Sequence, residues 1–210
     1  MDADVFRAWI TAIAAVVEEQ RDHLTQLDAA IGDADHGTNL SRGFKAVVAA
    51  LAADPPATPG GVLTLTGRTL ISKVGGASGP LYGTAFRRAG KSLGDAPDVD
   101  LAALATALEA ALAGIQQLGA ANEGDKTMVD VLAPATSAFS KAVAEGQPAA
   151  DALAALVAAA QTGAEATVSM QALKGRASYL GPRSVGHEDP GAASSALILG
   201  ALRDAILAAS

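Results

Sequence analysis

Apolar residues that recur every three or four positions, in segments dominated by alanine, confine this chain to helices. Phe6, Trp9, Ile10, Ile13 and Val17 form one stripe, and Leu40, Phe44, Val47 and Leu51 another. The clearest runs through Leu101, Leu104, Leu108, Leu112, Ile115 and Leu118; Leu153, Leu156, Leu199, Leu202 and Ile206 continue the pattern. Such spacing turns one face of a helix toward a core, and alanine is the best helix former. The run Val62–Thr66 alternates as a strand would. It is short and isolated, and Leu63, Leu70 and Val74 share one helix face, so it is read as helix. The expectation is an all-α bundle of about eight helices in one domain over 1–210.

The segments between helices are glycine-rich. ADPPATPGG (53–61) is a plain proline-rich connection. IGDADHG (31–37), GGASGP (75–80), NEGDK (122–126) and KGRASYLGPRSVGHEDPG (174–191) differ from it, because each mixes glycine with Asp, Ser, Arg or His. No repeat of fixed period and no heptad array is present.

Composition removes several classes of function. There is no cysteine, so disulfides, thiolate zinc sites and thiol nucleophiles are excluded. The formal net charge of −7 argues against a general nucleic-acid or anionic-membrane surface. The N-terminus MDADVFRAWI lacks the basic and apolar regions of a signal peptide, and no window approaches about 18 uninterrupted apolar residues. The expected setting is the cytoplasm. No Walker A loop, EF-hand spacing, nucleophile elbow or Ser-His-Asp spacing occurs.

Asp28, Asp33 and Asp35 stand within eight residues, between two helix patterns. An extended loop would point Asp33 and Asp35 the same way. Three carboxylates without cysteine are hard oxygen ligands suited to magnesium, which shares its shell with substrate phosphates. Bound cations would also relieve their mutual repulsion. The helix start at Gly37-Thr38-Asn39 would offer unpaired N–H groups to a phosphate. The competing reading makes these aspartates loop residues and caps. His36 divides evenly between a phosphate contact and a loop histidine.

Gly75–Pro80 reads as a helix start with Ser78 as N-cap or as a phosphate-binding turn. Gly124–Met128 reads as another, capped by Asp125, with Met128 either in the core or against an adenine face. Arg176 could stabilise charge on a transferring phosphoryl group or belong to a solvated basic turn. Asp189 precedes an apolar helix as its cap, and His187 has no partner in the sequence. The residues taken singly reach magnesium and phosphate, and stop there.

Together, LDAAIGDADHGTNLSRGF, VGGASGPLYGT, GDKTMVDVLAPA and GRASYLGPRSVGHEDPGAAS resemble, in the same order, the nucleotide-binding L subunit of bacterial dihydroxyacetone kinase. The resemblance implies an antiparallel eight-helix barrel with ADP or ATP at one end. It implies two Mg2+ ions between the phosphates and Asp28, Asp33 and Asp35. It gives His36, Gly37, Thr38, Asn39, Ala77 and Ser78 a phosphate-side nucleotide role. Gly119, Met128, Arg176, Asp189, Pro190 and Gly191 also match nucleotide-contacting positions, although QQLGAANEGDK around Gly119 departs from the family's more basic segment.

In the phosphotransferase-dependent version the nucleotide is retained. A phosphohistidine on an M subunit rephosphorylates ADP, and the ATP phosphorylates dihydroxyacetone on a K subunit. Three alternatives stand beside this. One is an ATP-exchanging kinase subunit, and another is a nucleotide-loaded partner of a transcription regulator. The third is a homologue serving another ketose or a fatty acid; the fatty-acid version usually reads D-G-D-T-G where this chain has Asp33-Ala34-Asp35-His36-Gly37. A homodimer is compatible with all of them.

Overall fold

The computed structural model describes residues 1–209. Among the described residues there are nine α-helices, two 3-10 segments and no strand. The α-helices are α1 (Ala3–Glu19), α2 (Arg21–Ile31), α3 (His36–Ala53), α4 (Pro59–Lys73), α5 (Ser78–Leu93), α6 (Leu101–Gly119), α7 (Val129–Ala144), α8 (Ala149–Ala166) and α9 (Pro190–Ala208). The 3-10 segments are Thr167–Ser169 and Arg176–Ser184, the second interrupted at Gly181. Val62–Thr66 lies inside α4, as its helix-face spacing predicts.

Eight of the nine helices close a ring. Going round, α1 contacts α3, α3 contacts α4, and each later helix contacts its successor until α9 returns to α1. This is the eight-helix barrel. The ninth, α2, is a separate short helix, broken from α1 at Gln20 and laid against α3 and α9.

Local chemistry sets the helix starts. Asp2, Thr58, Asp100 and Asp189 each accept a main-chain N–H from the first turn they precede, satisfying donors that a helix start otherwise leaves open. The stripes then fill the ring. Phe6, Trp9, Phe44 and Phe86 meet edge-on or tilted, with centroids 5.6 to 6.2 Å apart. The Trp9 indole donates to the Ile198 carbonyl at 3.0 Å, joining α1 to α9. Burying one such side chain contributes about 1.5–3 kcal/mol.

The tightest seam joins α4 and α5. A β-carbon on Gly67 would stand 2.4 Å from the Gly83 carbonyl oxygen, and one on Gly60 would stand 2.1 Å from that of Gly94. Only hydrogen at these positions lets the two backbones approach so closely. By length and composition, α6 and α9 could each cross a membrane. In the structure both are ring members, α6 between α5 and α7, and α9 between α8 and α1.

Candidate functional site

Alternation around the ring brings the starts of α3, α5, α7 and α9 to one end. Their first residues, His36, Ser78, Met128 just before α7, and Pro190, line a single cleft. A helix start carries partial positive charge and open N–H groups, so four of them make a favourable wall for an anion. This arrangement explains why the four distinctive loops are far apart in sequence and adjacent in space.

The aspartates enter from α2 and the turn after it. Asp28, Asp33 and Asp35 each offer a carboxylate oxygen, and these atoms lie within 4.8 Å of one another. Asp28 is buried, Asp35 half-buried and Asp33 exposed. The connection is not the extended loop that the sequence suggests. Ala34 is left-handed, with φ +62°, and this reversal draws Asp33 and Asp35 together. Gly32 is needed for a different reason: a β-carbon there would stand 1.9 Å from Asp28 Oδ1.

Asp28 has a structural duty as well. Its Oδ2 accepts the main-chain N–H of Asp35 at 2.8 Å and of His36 at 3.1 Å. It therefore caps α3 from a neighbouring helix. The amides of Gly37 and Thr38 have no such acceptor among the described residues. Arg176 reaches over from the late loop and pairs with Asp33 Oδ2 at 3.0 Å. The pair is solvated, so it contributes at most about 1 kcal/mol.

His36 is an internal brace. Its Nε2 is 2.9 Å from Ser194 Oγ and its Nδ1 is 3.1 Å from Ser78 Oγ. Burial holds its pKa below the ordinary value, against the pull of Asp28 and Asp35. Ser78 is thus occupied with His36 and does not act as the predicted N-cap. The chain continues inward: Tyr82 Oη lies 2.7 Å from Ser194 Oγ and 2.9 Å from Ser195 Oγ. Burial pushes the Tyr82 phenol up, which keeps it neutral.

Of the other predicted residues, Ala77, Met128, Arg176, Asp189, Pro190 and Gly191 line the cleft. Gly37, Thr38, Asn39 and Gly119 stand behind or beside it. Gly37 is held against α2, where a β-carbon would meet the Arg21 carbonyl oxygen at 2.0 Å. Asn39 accepts from Arg42 at 2.7 Å. Gly119 backs onto Leu81, which does line the cleft.

Asp189 caps α9 through the Ala192 amide at 2.8 Å. Burial raises its carboxyl to about 7, against the pull of that amide and of Lys126. Asp125 is not the cap of α7; it accepts from the Asn122 amide at 2.8 Å. Asp130 does that loop's work, taking the amides of Gly124 at 2.5 Å and Thr127 at 2.7 Å.

Sequence spacing also offers no sign of Lys126. It is buried in the cleft wall, where burial lowers its pKa and Asp189 opposes the change. Its partners, Thr167, Met170 and His187, are main-chain carbonyls far along the chain. A pattern of side chains cannot report such contacts.

Known proteins are similar to this chain in sequence and in fold. Residues 30–204 match the DAK2 domain. The ADP-binding subunit DhaL of the PEP-dependent dihydroxyacetone kinase 1 of Listeria innocua is 42% identical over 201 residues, covering 96% of either chain. The corresponding subunit of Escherichia coli is 42% identical over 186 residues, covering 89% of either chain. The crystal structure of the dihydroxyacetone kinase from C. freundii in complex with AMP-PNP and Mg2+ superposes with a TM-score of 0.71 at 28% identity. That match covers 96% of this chain and 34% of the C. freundii chain.

Proposed function

We propose that this chain, which belongs to the DAK2 domain family, is the nucleotide-carrying subunit of a phosphoenolpyruvate-dependent dihydroxyacetone kinase. In this reading a phosphohistidine subunit phosphorylates retained ADP, and the resulting ATP phosphorylates dihydroxyacetone held on a K subunit. The whole of 1–210 acts as one nucleotide-binding domain, in the cytoplasm.

The observation that carries the reading is the meeting of three carboxylates with four helix starts at one cleft. An all-oxygen, anionic donor set fits magnesium and does not fit a soft metal. Asp28, Asp33 and Asp35 would hold two such ions, which when bound neutralise the phosphates and orient them for in-line transfer.

The protein's own groups do the rest. Asp28 fixes the start of α3 through the Asp35 and His36 amides, and the amides of Gly37 and Thr38, left open at that start, are the donors a phosphate would take. Ser78 and His36 hold the starts of α5 and α3 at a set distance. Ala77, Met128 and the Asp189-Pro190-Gly191 turn line the cleft as nucleotide contacts, and the family resemblance adds Asn39 on the phosphate side and Gly119 behind Leu81. Arg176 is the exposed cation, paired among the described residues only with Asp33, that would turn to charge developing on the transferred group. No side chain in the cleft is set up as a covalent nucleophile, so catalysis rests on positioning and charge neutralisation.

Mass analysis of the purified protein after denaturation tests the reading: about one ADP per chain should be released. Full turnover with K subunit and free ATP alone, without the phosphohistidine protein, would overturn retention. That second outcome would favour an ATP-exchanging kinase subunit for dihydroxyacetone or another ketose; a D-erythrulose kinase of Mycolicibacterium smegmatis is 34% identical over 93% of this chain and 34% of that one.

A further inference from the structure

Lys126 is only 1% exposed although it lines the cleft. A lysine in a phosphoryl-transfer site is ordinarily taken for a phosphate ligand. Its ammonium has three N–H donors, and here all three are spent on main-chain carbonyls. They go to Thr167 at 2.7 Å, to Met170 at 3.2 Å and to His187. None remains for a phosphate.

The three acceptors belong to the two late walls of the cleft. Thr167 closes the C-terminus of α8, where partial negative charge favours a cation. Met170 begins the loop that leads to Arg176, and His187 stands two residues before Asp189. Neighbouring bonds tighten the same knot. The Asp189 amide donates to Thr167 Oγ1 at 3.0 Å, the Leu173 amide to the Asp125 carbonyl at 3.0 Å, and the Gly186 amide to the Val168 carbonyl at 2.7 Å. Lys126 itself is left-handed at φ +61°. A side-chain-bearing residue keeps that conformation only where its surroundings over-determine it.

We propose that Lys126 is a positioning residue. It ties segments 167–176 and 186–191 to the 122–128 loop and presets the cleft for nucleotide, without touching a phosphate. This rests on the nucleotide reading above. The contacts a bound nucleotide would make from Met128, Arg176 and the Asp189–Gly191 turn all hang from segments that this one ammonium joins.

The test compares wild type with Lys126→Met, which keeps the aliphatic stem, and Lys126→Gln, which restores two donors. ADP and AMP binding are measured by calorimetry, and amide hydrogen exchange is followed residue by residue. The Met variant should lose about 100-fold in affinity, because walls no longer preset must be ordered at the moment of binding, and by a similar factor for both nucleotides. The amides of Leu173, Gly186 and Asp189 should exchange faster, while those along α4 and α5 stay protected. The Gln variant should fall between. Wild-type binding in the Met variant would overturn the proposal. So would a loss confined to ADP with unchanged protection, which marks a direct phosphate ligand. Faster exchange throughout all helices in both variants would also overturn it, as a general folding role. If wild type itself binds no ADP, the nucleotide reading fails instead.

Discussion

The aspartate turn and the lysine knot line the same cleft and treat charge in opposite ways. Lys126 is a buried cation whose every donor is met by protein. Asp28, Asp33 and Asp35 are three anions within reach of one ion, and among the described residues the only side-chain cation paired with them is a solvated arginine. The knot is complete as it stands, and in the proposed function the turn is completed by metal ions. Carbonyl dipoles suffice for one buried charge, whereas like charges held this close call for a counter-ion. In the function proposed above, the fixed cationic wall frames a metal-borne phosphate held at the anionic one.

The sharpest way to break this comparison is at the turn. Asp33→Asn or Asp35→Asn should abolish magnesium-dependent ADP binding while circular dichroism shows helix content intact. Wild-type affinity in either variant would contradict the metal assignment. Arg176→Ala should slow phosphoryl transfer about a thousandfold, yet alter unfolding free energy by less than about 1 kcal/mol, since its pair with Asp33 is exposed. Coupled-assay kinetics and denaturant titration separate the two effects.

Chelating magnesium from the ADP-loaded protein should lower thermal stability. A ligand at a hundred times its dissociation constant contributes about 2.7 kcal/mol, or roughly 5–10 °C for a chain of this size. The lysine wall should not respond, so exchange at the Leu173 and Gly186 amides should hold after chelation.

A last test concerns Asp189, beside the knot, and leaves nucleotide binding out of account. Its folded pKa of about 7 lies above the ordinary 3.8. The folded state therefore keeps this proton longer than the unfolded chain does. Its contribution is full below about pH 4 and is lost as pH rises through about 7. Asp189→Asn should flatten the stability profile across that window in the nucleotide-free protein. A carboxyl carbon shift that titrates near 4 would refute the assignment.

The helices and the unusual loops were legible in the chain itself, whereas the eight-membered ring came only with the family resemblance and Lys126 in the cleft wall left no sign. Periodic leucines and alanines report a buried stripe wherever they occur, because the period belongs to the helix and not to its neighbours. Asp189 was legible as a cap for the same reason: its partner is three residues away. Ser78 and Asp125 misled because capping residues look alike in sequence. Each had a competing partner that only the folded chain supplied, His36 for one and the Asn122 amide for the other.

The sequence by itself determined which segments are helical, which loops are unusual, and that three oxygen donors stand near one another. Tertiary structure alone decided that α2 lies outside the ring, that Ala34 turns left-handed between two aspartates, and that Lys126 spans three segments. The physical reason is range. Helix propensity and capping act over three or four residues, while a buried ammonium or a cluster of carboxylates takes its energy from whatever the fold brings within a few ångströms.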